Sequence, residues 1–182
     1  MNRQLRPHAD TPCGALQSIE VEISRPAANR LRLRYLLTGD VEGLSLPYPG
    51  PAVRTDGLWQ HSCFEAFLRA PADPAYHEFN FAPSGAWAAY RLGGYRDAMT
   101  EAQLPLPRIA TDRTPEHFVC TVELELGGLA ELDGAAWRLG LSAVIEERHG
   151  RKSYWALAHP PGKPDFHHED CFVIELPAPS AA

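Results

Sequence analysis

A short proline-rich loop near the C-terminus holds several side chains that could bind a ligand. The stretch Ser153–Phe172 begins like a strand and then brings five ionisable side chains close together: His159, Lys163, Asp165, His167 and His168. Prolines at 160, 161 and 164 stiffen this loop, because each proline fixes its own φ and restricts the residue before it. Stiff loops at strand ends often carry binding groups. We therefore expect the loop to contribute to a binding site.

A second group of polar side chains follows Trp59 in the segment Leu58–Leu68, which reads LWQHSCFEAFL. On an extended strand, alternate side chains point to the same face, so His61, Cys63 and Glu65 would lie together. This combination is compatible with a metal site or with a polar ligand cleft. A strand with a partly solvated polar face and a packed, inert cysteine explains it equally well.

The third group lies in Tyr76–Trp87, which reads YHEFNFAPSGAW. If Phe79 and its alternate neighbours face the core, then Tyr76, Glu78 and Asn80 share the opposite face. An aromatic ring, a carboxylate and an amide suit a sugar, since the ring covers its C–H surface and the polar groups bind its hydroxyls. An exposed strand face is the simpler alternative.

Established catalytic and metal motifs do not occur in the sequence. There is no HExxH or CxxC spacing, no GxSxG elbow, no phosphate-binding loop and no GxGxxG. Adjacent histidines such as His167 and His168 can both ligate one metal only from a loop, and hydrogen-bonding roles are the commoner ones. Glu65 and Glu78 could form an acid/base pair, although most pairs of carboxylates could be nominated in this way.

The elements that must position these groups are strands. Apolar residues alternate with polar ones in Ile19–Ile23, Leu31–Leu37 and Phe118–Leu126. Further apolar runs bring the expected number of strands to about nine or ten: Cys63–Arg69, Tyr76–Ala82, Trp87–Leu92, Trp137–Glu147, Ser153–Ala158 and Cys171–Leu176.

Helical signal is weak by comparison. We expect at most short helices at Tyr95–Gln103 and Gly128–Leu132, and a hairpin turn at His149-Gly150. The pattern predicts an all-β fold, a single-domain antiparallel β-sandwich with little helix.

Composition limits the remaining possibilities. The 182 residues suffice for one domain, and we expect a flexible N-terminus over 1–16, a folded domain over 17–177 and a tail over 178–182. A net charge of −6 argues against binding to nucleic acid. Neither a signal peptide nor a membrane-spanning run is apparent, which predicts a cytoplasmic protein with no membrane partner. In that compartment the four widely spaced cysteines are expected to be free thiols.

Four blocks together resemble a bacterial family of DOMON-like domain proteins, related to the family-9 carbohydrate-binding modules. The blocks are LWQHSCFEAFL, YHEFNFAPSGAWAAYR with GGYRDAM, GLSAVIEERHG, and SYWALAHPPGKPDFHHEDCFVIEL, and they extend over most of Leu58–Leu176. The resemblance implies a β-sandwich with a ligand surface that binds sugar or, in the wider superfamily, haem. Tryptophans clamp the sugar in the sugar-binding relatives, which makes Trp59 and Trp155 the candidate platforms.

Our first interpretation is a non-catalytic protein that binds a carbohydrate or a related small polar molecule. Its predicted ligand-binding residues are Trp59, His61, Glu65, Glu78, Asn80, Arg91, Arg96, Trp155, His159, Lys163, Asp165 and His168. This interpretation requires no cofactor and makes no prediction about protein partners.

Two alternatives remain. The first is a haem- or metal-binding module, in which Met99 would have to ligate haem opposite a histidine such as His61. The second is a hydrolase that uses Glu65 or Glu78 with a histidine.

Overall fold

Twelve strands occur in the part of the chain that the computed structural model describes, residues 1–71 and 73–178. They are β1 (Asn2–Pro7), β2 (Leu16–Ala27), β3 (Arg30–Gly39), β4 (Cys63–Arg69), β5 (Tyr76–Phe81), β6 (Trp87–Leu92), β7 (Thr100–Glu101), β8 (Arg108–Arg113), β9 (His117–Glu125), β10 (Trp137–Glu146), β11 (Lys152–Ala156) and β12 (Ile174–Leu176). Single turns of 3₁₀ helix occur at Val41–Gly43, Leu58–Gln60, Ala130–Leu132 and Glu169–Cys171.

The strands form one curled antiparallel sheet in the order β7-β6-β5-β4-β10-β11-β1-β2-β3-β9-β8, with β12 paired to β10. β1 joins the two halves because its residues 2–5 pair with β2 and its residues 6–7 pair with β11. The sheet thereby folds over into two layers. The predicted antiparallel β-sandwich with little helix is confirmed.

The main core lies between the two layers. Leu31, Leu33, Tyr35 and Leu37 on β3 face inward with at most 1% of their surface exposed. They pack in one cluster with side chains of the other layer such as Phe64 on β4. Burial of apolar surface on this scale provides the main driving force for folding.

A second, smaller apolar cluster covers the outer face of the β4–β6 and β10–β11 layer. Phe67, Tyr76 and Val144 point away from the main core and pack with Phe166 and Phe172 of the loop that follows β11. β4 and β5 are therefore buried on both faces. The layer and the covering loop leave a cleft between them.

Three local expectations need correction. Residues 1–16 were expected to be flexible, but Asn2–Pro7 form β1 and Leu5 is 1% exposed. Tyr95–Gln103 forms a turn and the short β7 instead of a helix, while Gly128–Leu132 contains only the 3₁₀ turn at Ala130–Leu132. The strands among the described residues exceed the expected nine or ten, since β1, β7 and β8 lack a strong apolar pattern.

Other expectations agree with the structure or lie outside it. The His149-Gly150 turn is confirmed by the hydrogen bond from Gly150 N to Glu147 O between β10 and β11. The four cysteines are free thiols. Most of the expected tail, residues 179–182, lies outside the described residues. Among the described residues, no helix has the length and apolar character needed to cross a membrane.

Candidate functional site

A cleft of about 380 Å³ lies between the outer face of the β4–β5–β10–β11 layer and the loop that follows β11. Two carboxyl groups lie at its floor, Glu65 on β4 and Glu78 on β5, and Tyr154 extends into it from β11. Trp59, Arg96, Phe166 and His167 complete its walls.

The two carboxyl groups are held by hydrogen bonds from behind. Glu65 is 3% exposed, and its Oε2 accepts a hydrogen bond of 3.0 Å from Ser142 Oγ on β10. Glu78 is 5% exposed, and its Oε1 accepts one of 2.7 Å from Asn80 Nδ2. Asn80 is therefore a positioning residue behind Glu78, since its own Oδ1 accepts from the Cys63 thiol at 3.7 Å.

Burial makes both carboxyl groups weak acids. Desolvation, and next the negative charge of Glu78, raise the pKa of Glu65 from 4.5 to about 8, although Ser142 and Arg96 oppose this rise. Desolvation also raises the pKa of Glu78, against the hydrogen bond from Asn80. At neutral pH Glu65 thus retains its proton and can both donate and accept hydrogen bonds.

His167 provides a neutral imidazole beside this pair. Desolvation and the nearby Arg96 charge lower the pKa of His167 to about 4. The Tyr76 hydroxyl oxygen accepts a hydrogen bond of 3.3 Å from the backbone N–H of Arg96. Its own proton is therefore available for a hydrogen bond to His167 Nδ1, which lies 2.7 Å away. This leaves the imidazole proton on Nε2, which lies 3.9 Å from Glu78 Oε2.

The rim of the cleft is tied together by Asp165. Its carboxylate accepts hydrogen bonds from Arg96 Nη2 at 2.8 Å and from the Tyr95 hydroxyl at 2.6 Å. Arg96 has a φ of +54°, which is uncommon for a residue with a side chain. Lys163 and His168 line a shallow recess on the outer side of the same pair.

Three aromatic side chains flank the carboxyl groups. Trp59, on the 3₁₀ turn before β4, is 41% exposed and contacts Tyr90 edge to face with ring centroids 6.4 Å apart. Across the cleft, the rings of Tyr154 and Phe166 lie 6.1 Å apart. An apolar ligand face therefore meets aromatic surface while its polar groups can reach Glu65 and Glu78.

The structure brings only part of the predicted site together. Trp59, Glu65, Glu78 and Arg96 line the cleft itself. Lys163, Asp165 and His168 lie at the adjoining recess. Asn80 lies behind Glu78, with 0% of its surface exposed.

Four predicted residues lie elsewhere. His61 Nδ1 pairs with Glu146 at 2.7 Å and lines a separate cavity beside the 44–58 loop. Arg91 points to the opposite face of β6 from Tyr90, and its Nε donates to Glu131 at 2.8 Å. His159 Nε2 contacts the Arg6 carbonyl oxygen at 2.8 Å.

The most consequential of these corrections concerns the predicted role of Trp155. It is 2% exposed in the main core, and its indole N–H donates to Ser153 Oγ at 2.9 Å. Trp155 therefore cannot serve as a ligand platform, and its neighbour Tyr154 takes the position on the cleft face. Tyr154 and Phe166 were not predicted as site residues, although the alternation of β11 placed Tyr154 on the face opposite Trp155. His167 was named in the proline-rich loop but was not among the predicted ligand-binding residues.

The haem alternative placed Met99 opposite a histidine such as His61. Met99 lines the cleft, whereas His61 lines the separate cavity, so these two residues cannot share one ligand. Within residues 1–71 and 73–178, no three histidine, cysteine or acidic side chains are grouped so that they could hold a metal ion. For the hydrolase alternative, Glu65, Glu78 and His167 do meet in the cleft.

Comparison with known proteins identifies the fold. No protein-family model matches the sequence, and no curated protein is similar to it in sequence at a significant level. Among solved structures, a "putative carbohydrate-binding protein" from Bacteroides uniformis has a TM-score of 0.69 at 12% identity, with 94% of this chain and 83% of that chain covered.

Two structures of a family-9 carbohydrate-binding module from Caldicellulosiruptor kristjanssonii are also similar. The complex with cellotriose has a TM-score of 0.56 at 12% identity, with 89% of this chain and 74% of that chain covered. The complex with glucose has a TM-score of 0.54 at 12% identity, with 95% and 81% covered. At this level of identity the similarity establishes the shared β-sandwich fold.

Proposed function

We propose that the protein binds a carbohydrate, or a closely related small polar molecule, in the cleft between Trp59 and Tyr154 without altering it chemically. The observation that carries the proposal is the placement of two buried carboxyl groups, Glu65 and Glu78, between aromatic rings in one cavity. The ligands in the similar family-9 structures, cellotriose and glucose, support the same class of ligand.

The geometry suits a sugar because the two kinds of side chain match the two kinds of sugar surface. Trp59 and Tyr154 offer flat apolar faces to C–H groups. Protonated Glu65 can donate to one hydroxyl and accept from another, and Arg96 adds a donor at the rim. The volume of about 380 Å³ lies within the range of small-molecule sites, roughly 300–1,000 Å³.

Titration calorimetry with a panel of mono- and disaccharides tests the proposal, with tryptophan fluorescence as a second readout. Trp59 is the half-exposed tryptophan in the cleft, while Trp87, Trp137 and Trp155 are buried, so ligand binding should change the emission of Trp59. Trp59→Ala should weaken binding about tenfold to a hundredfold, since removing a stacking ring costs on the order of 1–3 kcal/mol.

Tyr48→Ala is the matched control, because Tyr48 is an exposed aromatic residue that packs on Arg113 away from the cleft. It should bind sugars as the wild type does. If no sugar in the panel binds, or if Trp59→Ala binds as tightly as the wild type, the proposed function is wrong. Recovery of a hydrolysed sugar after incubation would contradict the non-catalytic part.

We also propose a cytoplasmic location and membership of the bacterial DOMON-like group. The four widely spaced free cysteines support a reducing compartment. Fractionation of cells that express a C-terminally tagged chain tests the location, and recovery in the exported fraction would contradict it.

A further inference from the structure

Two buried carboxyl groups, Glu65 and Glu78, line the cleft, and among the described residues no lysine or arginine forms an ion pair with either of them. Among the described residues, the one hydrogen bond to the Glu65 carboxyl group comes from the Ser142 hydroxyl to Oε2, which leaves Oε1 without a hydrogen-bond partner. The nearest basic nitrogen to Glu78 Oε2 is His167 Nε2 at 3.9 Å, which is too long for a hydrogen bond. Each carboxyl group therefore keeps one oxygen free for a ligand.

Arg96 does not supply the missing partner. Its guanidinium hydrogen-bonds Asp165 at 2.8 Å on the rim, so that pair is internally balanced. The Arg96 charge interacts with Glu65 and Glu78 only electrostatically, without a hydrogen bond, and lowers their pKa values. A neutral sugar would leave Glu65 protonated and would place no cation beside either carboxyl group.

A cation in the cleft would satisfy both free oxygens. Buried carboxylates are costly when they lack a partner, and an ammonium group can donate a charge-assisted hydrogen bond to each of two acids. The rings of Trp59, Tyr154 and Phe166 surround the same space, and aromatic faces attract cations. The aromatic walls and the acidic floor thus favour the same ligand chemistry independently.

We propose that the ligand of this cleft is an amino sugar, whose ammonium group lies between Glu65 and Glu78 while its ring lies against Trp59. This inference rests on the proposed function and narrows it to sugars that carry a positive charge.

Proton release is a direct signature of this arrangement. In the protein without a ligand, Glu65 has a pKa of about 8 and holds its proton at pH 7. An ammonium ion beside it lowers that pKa, so the proton leaves to the buffer when the ligand binds. The charged or titratable groups around Glu65 come from every element packed against it: Cys63 on its own strand, Tyr35 on β3, Glu78 on β5, Arg96 on the turn after β6, Tyr154 on β11 and His167 on the covering loop.

The experiment compares matched sugars by calorimetry at pH 7. D-glucosamine carries the ammonium group, D-glucose has a hydroxyl at the same position, and N-acetyl-D-glucosamine removes the charge; the galactose series repeats the comparison. We expect the amino sugar of one series to bind at least about tenfold more tightly than its two neutral partners, in line with a charge-assisted hydrogen bond. The observed enthalpy should differ between phosphate and Tris buffers because protons are released.

Glu65→Gln should abolish both the preference for the amino sugar over its neutral partners and the release of a proton on binding. Glu175→Gln, which alters an exposed carboxylate on β12 beside Arg138, is the matched control and should behave as the wild type does. Thermal unfolding of both variants verifies that they are folded.

Each result separates this inference from the function on which it rests. Equal or tighter binding of the neutral sugar overturns the amino-sugar inference and leaves carbohydrate binding intact. Failure of all six sugars overturns both. Ethanolamine provides the ammonium group without a ring, so ethanolamine binding as tightly as glucosamine would show recognition of charge alone and overturn the sugar assignment.

Discussion

Replacement of Glu65 by glutamine should change how the stability of the protein depends on pH. The side chain is 3% exposed, and its pKa is raised from 4.5 to about 8. The folded state therefore binds this proton more tightly than the unfolded chain does. Below pH 4.5 both states are protonated and the group costs nothing; as pH rises toward 8 only the unfolded chain ionises, so the folded state loses stability.

The structure sets the size of the effect. One pKa unit corresponds to about 1.4 kcal/mol, so a rise from 4.5 to about 8 costs the wild type on the order of 5 kcal/mol above pH 8. The cost is about 2 kcal/mol at pH 6 by the same linkage. Glutamine has nearly the same shape and no charge, so Glu65→Gln should exceed the wild type by about 1 kcal/mol at pH 5 and by several kcal/mol at pH 8.5.

Urea unfolding at pH 5, 6.5 and 8.5 measures this difference, with an unchanged slope as evidence that the unfolding transition is the same. The lowered pKa of His167, about 4, removes stability as pH falls from 6.5 to 4, but it acts in both proteins and cancels in the comparison. The Glu175→Gln control should follow the wild type. Parallel pH profiles for the wild type and Glu65→Gln would refute the reasoning, because they would mean that Glu65 ionises normally in the folded protein.

Two further outcomes are expected. Arg151 Nε and then Gly14 N donate hydrogen bonds to Glu147 and hold its pKa at about 2. Because the exposed Arg151 is screened by solvent, Glu147→Gln should lower stability by only about 1–2 kcal/mol at pH 7. This loss of stability should vanish as pH falls from 4.5 to 2. An equal loss in urea unfolding at pH 7 and at pH 2 would contradict this account. Titration of the native protein with a thiol reagent should modify the half-buried Cys13 first, and all four cysteines should react after unfolding without reductant; fewer than four would indicate a disulfide.

Local sequence determined the strands and many of their faces. The alternation in Leu31–Leu37 predicts an inward face, and the four side chains on that face, Leu31, Leu33, Tyr35 and Leu37, are all buried. The parity of β5 places Glu78 opposite Phe79, and the structure has Glu78 in the cleft and Phe79 in the core. These features follow from the sequence because a two-residue period is a property of the extended backbone itself.

Strand pairing decided which aromatic residue enters the cleft. Tyr154 and Trp155 are neighbours of similar character, so parity alone leaves two equivalent choices. The pairing of β11 with β10 sets Trp155 opposite the core residue Ala143 and Tyr154 opposite Val144 on the outer face. A shift of one residue would exchange the two rings.

Contacts between distant parts of the chain determined the rest. β1 has no strong apolar pattern and becomes a strand because β2 and β11 supply its hydrogen-bond partners. Arg96 and Asp165 are 69 residues apart and meet only when the loop after β11 folds over the sheet. The sequence by itself therefore determined the strands that have a two-residue alternation and the faces on which Glu65 and Glu78 lie. The tertiary structure decided which side chains share the cleft and how deeply the two carboxyl groups are buried, since such encounters depend on pairings that no local pattern encodes.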